Sequence, residues 1–161
     1  MSSGIKVLRI LKNVLSLISL IATASFFVLF AVTYKNFPPG SVYYENFFGI
    51  NIEFNKSSVF LIFIICAGLV GLLFIISRFS TLYKYPVKIT ADNIEIQYHL
   101  SKIILNALQI CTAIFCWFSI AYIYIKAAKG MYMPAFSFTY TIPLVMLAIY
   151  ISYRITAKAY K

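Results

Sequence analysis

Residues 58–77 read SVFLIFIICAGLVGLLFIIS, without one Lys, Arg, Asp, Glu or His. A bilayer core roughly 30 Å thick is crossed by about 20 apolar residues rising about 1.5 Å each. This stretch meets that length, and so do three others: Val14–Tyr34, Ile103–Ile125 and Pro134–Tyr153. Backbone groups inside lipid must bond within their own segment or within a closed barrel. Continuous apolar runs without alternation exclude the barrel. The expected fold is therefore all-α. It is a four-span transmembrane helix bundle forming one domain over residues 1–161, with spans near 14–34, 58–77, 103–125 and 134–153.

Composition agrees. Of 161 residues, 62% are hydrophobic and 11% charged, where a soluble domain carries about 25% charged residues. The formal net charge of +10 invites a nucleic-acid reading, but its distribution argues for orientation instead. Lys6, Arg9 and Lys12 precede the first span. Arg78, Lys84, Lys88 and Lys102 separate the second from the third, and Arg154, Lys158 and Lys161 follow the fourth. These segments share one side and hold 10 of the 14 basic residues. The positive-inside rule then places both termini in the cytoplasm, and a multi-pass location in the inner (plasma) membrane is the expectation. The charge favours contact with anionic head groups, and no nucleic-acid partner is expected. Ala22-Thr23-Ala24 resembles a signal cleavage site, but the apolar run continues through Phe26–Val32, so an uncleaved span is expected.

Two connections carry pattern. The outside loop Lys35–Ser57 opens with Phe37-Pro38-Pro39-Gly40, a turn signal, and continues with aromatics interleaved with polar groups. It reads either as an aromatic belt on the head groups or as a short extracytoplasmic cap presenting Tyr44, Glu45, Asn46 and Gly49 to a ligand or partner. The inside segment 78–102 is extended around Pro86. Thr90 is positioned to cap a helix from Ala91 that runs into the third span. The alternation Ile94–Leu100 competes as a strand; the helix is favoured because it leaves no unpaired edge.

Inside the spans, Asn106, Gln109, Ala113 and Cys116 share one face of the third helix. Ser16, Ser19 and Thr23 form a small polar face on the first. Interhelical hydrogen bonding is the expected role of Asn106 and Gln109, and close helix approach that of Ala67 and Gly71. Pro143 removes a backbone bond to the Thr139 carbonyl and should kink the fourth span. Four acidic residues and one His, none inside a span, give no catalytic set, no metal ligands and no cofactor site. Cys66, Cys111 and Cys116 read as small buried thiols.

The segment Tyr85-Pro86-Val87-Lys88-Ile89-Thr90-Ala91-Asp92-Asn93, followed by Gln97-Tyr98 and Leu100, resembles bacterial integral membrane proteins related to the Sdp-type toxin immunity proteins. These carry a domain of unknown function in an extracytoplasmic loop. In that loop Phe37-Pro38, Asn46 and Gly49 fall in register with the family pattern. Val42, Tyr44 and Glu45 replace its second proline, its histidine and its aromatic. The resemblance covers residues 30–125. It implies a non-enzymatic protein that senses or neutralises an extracytoplasmic peptide or toxin, with a cytoplasmic regulator as a further partner. The alternative from another class is a small oligomeric transporter or channel subunit.

Overall fold

The computed structural model describes residues 3–38, 42–45, 51–79, 83, 85–129 and 136–160 of the chain. It contains four helices: α1 (Ser3–Lys35), α2 (Lys56–Arg78), α3 (Ile94–Lys129) and α4 (Phe136–Ala159). Each is long and apolar enough to cross a membrane. The fold is all-α apart from one small addition, a two-stranded antiparallel hairpin between α1 and α2. Its strands are β1 (Val42–Glu45) and β2 (Asn51–Phe54).

Helix α3 is the hub. It packs most extensively on α1, then on α2, and it carries α4. Contacts fix the directions. Arg9 meets Glu95, and Thr23 meets Gln109 further along, so α1 and α3 run parallel. Gln97 meets Ala157 while Ser101 meets Tyr153, so α4 runs antiparallel to α3. Arg9, Tyr83, Glu95 and Tyr160 therefore share one end of the bundle, and the hairpin connects the helices at the other.

The main core sits between α1, α2 and α3. It buries Phe26, Phe30, Val59, Cys66, Val70, Ala113, Cys116 and Ile120. Lipid tails are as apolar as these side chains, so packing rather than exclusion from water holds such a core. Phe63, partly buried, packs against it: its ring stacks on Phe30 at 3.5 Å and on Phe26 at 5.7 Å, and meets the edge of Phe27 at 5.9 Å. Phe37, immediately before the prolines, is buried against the same cluster. The loop is thus anchored where it leaves α1.

Helix α1 is continuous from Ser3, so the basic lead-in belongs to the spanning helix. At about 1.5 Å per residue, α1 and α3 exceed the hydrocarbon thickness and project beyond it. Asn55 caps α2, accepting from the Ser58 backbone N–H at 2.8 Å and from its hydroxyl at 3.1 Å. Pro143 lies inside α4, which remains a single helix.

Two expectations need correction. The third helix begins at Ile94, not at Ala91; residues 91–93 form turns. The side chain that secures this start is Asn93, not Thr90. Asn93 accepts from the Thr90 backbone N–H at 2.9 Å and donates to the Lys88 carbonyl at 3.1 Å. The Asn93 carboxamide thus ties down the turn before the helix, the Ile94 N–H closes that turn onto the Thr90 carbonyl, and the Asn93 carbonyl takes the first bond of α3, from the Gln97 N–H. The alternation at Ile94–Leu100 does not produce a strand. Its residues are helical, and Gln97, His99 and Leu100 turn inward.

The second correction concerns α2. A Cβ added at Gly71, or at Gly68, would meet nothing within 4 Å. Neither glycine is a point of close approach among the described residues. Ala67 does pack against the core cluster. Helix α2 meets α3 along the face of Val59, Cys66 and Val70, and the glycines lie beside that face.

Candidate functional site

Three regions concentrate polar groups. The first runs along the α1–α3 seam. Gln109 Nε2 donates to Thr23 Oγ1 at 2.9 Å, and the Thr23 hydroxyl donates to the Ser19 carbonyl at 2.8 Å. One turn away, Asn106 Nδ2 donates to Ser16 Oγ at 3.0 Å. Ser19 donates to the Ser16 carbonyl at 2.9 Å, leaving its Oγ 3.5 Å from Asn106 Oδ1. Asn106 and Gln109 are 2% and 0% exposed. Each donor is bonded to a small hydroxyl on the facing helix, which makes the seam a lock between two helices. Its chemistry is that of packing, with no charge to move along it. Replacing Gln109 with Leu should cost about 0.6–2 kcal/mol, the range measured for interhelical bonds in lipid. Unfolding in mixed detergent–denaturant micelles reads it; unchanged stability would remove Gln109 from the lock.

The second region is the end of the bundle built from the start of α3. Arg9 Nη2 contacts Glu95 Oε1 at 3.0 Å, with both side chains about half exposed, so the pair contributes little to stability. His99, one turn on, is 4% exposed, and neither ring nitrogen has a hydrogen-bond partner among the described residues. Its Nε2 stands 3.6 Å from Glu95 Oε1. That is too long for a hydrogen bond and counts as an ion pair only if the ring is protonated. Gln97 donates through Nε2 to the Ala157 carbonyl at 3.0 Å and the Tyr160 carbonyl at 3.3 Å. It thereby satisfies carbonyls that the end of α4 leaves open. Ser101 and Tyr153 share a 2.7 Å hydrogen bond between the same two helices. Tyr83 crosses from the connection to donate to the Ser77 carbonyl at 2.8 Å, and it stacks on Tyr98 at 5.9 Å. Burial, reinforced by Tyr98 and Tyr85, pushes the Tyr83 phenol up to about 12. It stays neutral and keeps its donor proton.

The third region is the hairpin. Its register pairs Val42 with Phe54, Tyr43 with Glu53, Tyr44 with Ile52 and Glu45 with Asn51. Of the residues expected to face a ligand, Tyr44 and Glu45 thus lie on β1. Asn46 and Gly49 lie outside the described residues. Strand β2 leads through Asn55 into α2, so the hairpin is tied to a spanning helix at its base. Near it, Lys56 Nζ lies 4.8 Å over the ring of Tyr34.

Sequence reasoning assigned no role to Gln97, Ser101, Tyr153 or the Arg9–Glu95 pair. The available signal was the polar run Gln97–Lys102 placed directly before an apolar stretch. Cys66 on α2 and Cys116 on α3 are buried in the same core cluster, and all three cysteines are free thiols. No group of three or more His, Cys, Asp or Glu that could hold a metal ion occurs among the described residues.

Four apolar helices and a hairpin at one end define a multi-pass membrane protein. Comparison with family models, curated proteins and solved structures finds no match to this chain.

Proposed function

We propose that this chain is a non-enzymatic membrane protein that binds an extracytoplasmic peptide or protein, in the manner of a toxin-immunity protein, through the α1–α2 hairpin. The observation that carries the reading is the hairpin itself. Its two strands pair only with each other among the described residues, so each leaves an outer edge. Such an edge can bond an extended segment of another chain through the backbone, with alternate side chains supplying specificity. The base of the hairpin is held by Phe37 in the core and by the Asn55 cap, so binding there would act on α1 and α2.

 The basic residues gathered at the opposite end support placing that end in the cytoplasm and the hairpin outside. The likeness of Tyr85–Asn93 and Gln97-Tyr98 to the immunity-related family supports the same reading.

A second reading is a small oligomeric transporter or channel subunit. Gly68 and Gly71 favour it, because the open space beside them leaves room for a helix of another copy. The α1–α3 seam weighs against a polar path through a single copy, since its side-chain donors are already engaged.

The test uses cells making the full chain and challenged with candidate secreted peptides. Tyr44→Ala with Asn46→Ala should abolish protection or peptide binding at unchanged membrane levels. Single cysteines at Asn51 and Ser2, each in a chain without the native cysteines, report the side: an impermeant thiol reagent should label the first and spare the second. Protection that survives both alanines, or the reverse labelling, overturns the proposal.

A further inference from the structure

A cavity of about 170 Å³ opens between α2, α3 and α4 at the end of the bundle where the basic residues gather. Its deeper wall is apolar: Ile76 from α2 and Leu105 and Leu108 from α3. Its upper wall is Tyr83, Ser101 and Tyr153, with Tyr150 about one turn deeper on α4. From Ser101 to Leu108 the wall descends about 10 Å along α3 at the helical rise of about 1.5 Å per residue. The Ser101–Tyr153 hydrogen bond engages the polar atoms of those two residues with each other, and the Tyr83 hydroxyl is spent on the Ser77 carbonyl. What the wall offers a guest is therefore hydrocarbon and ring surface.

The mouth has a different character. Arg154 Nη1 donates to the Tyr150 hydroxyl at 3.4 Å, which brings an exposed guanidinium to within one hydrogen bond of the cavity wall. Arg154 lies one turn beyond Tyr150, towards the end of the bundle. Arg78 ends α2, with its guanidinium 4.9 Å from the Phe74 ring, while Lys102, next to Ser101 on α3, holds its Nζ 5.8 Å from the Tyr98 ring. The two carboxylates of this end, Asp92 and Glu95, do not line the cavity, and Glu95 is engaged by Arg9 on the α1 side.

We propose that this groove is a binding site for one anionic phospholipid, with an acyl chain in the α2–α3–α4 cavity and the phosphate on Arg154. Lipid is the surrounding solvent of these helices, so an acyl chain is the guest at hand. The cation at the mouth selects the charge of its head group. A tyrosine that both lines the groove and holds the guanidinium couples the two halves of the site. Occupancy would also join α4 to α2, two helices whose main packing partner is α3 in each case.

The experiment is native mass spectrometry of the full chain in detergent, supplied with equal phosphatidylglycerol and phosphatidylcholine of matched acyl chains. Wild type should retain the anionic lipid about fivefold over the zwitterionic one, the size expected of one basic side chain against an anionic head group. Arg154→Gln should bring the ratio to parity, and Arg154→Lys should restore most of it. Leu108→Trp, which fills the cavity, should lower retention of both lipids. Glycerol phosphate, the head group without its chains, should not compete. A wild-type ratio near one, an undiminished ratio in Arg154→Gln, undiminished retention in Leu108→Trp, or displacement by glycerol phosphate overturns the proposal. Arg154 is exposed, so its variants test the site without disturbing the core.

Discussion

Phe63→Ala should be among the most destabilising single substitutions in the membrane region, lowering the unfolding free energy in mixed micelles by about 2 kcal/mol. In a soluble core, Phe→Ala costs about 3–5 kcal/mol, part of it the lost transfer of a ring from water. In lipid that part largely vanishes, because the unfolded reference also surrounds the ring with hydrocarbon. What remains is packing. Four rings, those of Phe26, Phe27, Phe30 and Phe60, lie within 6.4 Å of Phe63 by ring centroid. Truncation removes all four ring contacts at once. Leu61→Ala is the control: Leu61 faces outward on the same helix, and lipid fills the space it vacates. Equal losses for the two variants would show that the ring contacts of Phe63 do not stabilise the bundle.

Gln97→Ala should release the end of α4. Gln97 is 0% exposed and donates to the Ala157 and Tyr160 carbonyls. Removing the donor leaves carbonyls at a helix end with less to bond, at a cost of about 1–3 kcal/mol. The loss should be local, because the bonds lie at the last turn of the most peripheral helix. Limited trypsin digestion in reconstituted membranes should therefore cut after Arg154 and Lys158 several times faster than in wild type, while α1–α3 stay protected. Gln97→Glu should behave like the alanine variant near neutral pH, because a carboxylate has no proton to donate. A glutamate variant as protected as wild type would show that volume, and not the amide donor, holds the helix.

Much of the architecture was written along the chain. Four uninterrupted apolar runs dictate four spanning helices, because lipid offers the backbone no other donors or acceptors. Helical periodicity placed Asn106, Gln109, Ala113 and Cys116 on one face of the third helix, and all four are buried. That face is local information, fixed by residue spacing alone. Its partner is not. Ser16, Ser19 and Thr23 are small hydroxyl residues, and such residues also occur where they face lipid or bond their own helix. Only the parallel packing of α1 on α3 brings them opposite Asn106 and Gln109.

The beginning of α3 shows the same limit at closer range. Thr90 and Asn93 both belong to the residue types that start helices. Asn93 takes the role because the chain, turning after Pro86, brings the Thr90 N–H and the Lys88 carbonyl to its amide. Gly71 shows the converse. Its spacing from Ala67 permits a close approach, but permission is not contact, and α3 chose the neighbouring face of α2. The sequence by itself determined which segments enter lipid and which face of the third helix is polar, since both follow from the polarity and period of consecutive residues. The tertiary structure decided which helices meet, which end of α4 Gln97 holds, and where Tyr150 and Arg154 frame a cavity. Those pairings join residues distant in the chain, and only the three-dimensional packing selects among the many that sequence polarity would allow.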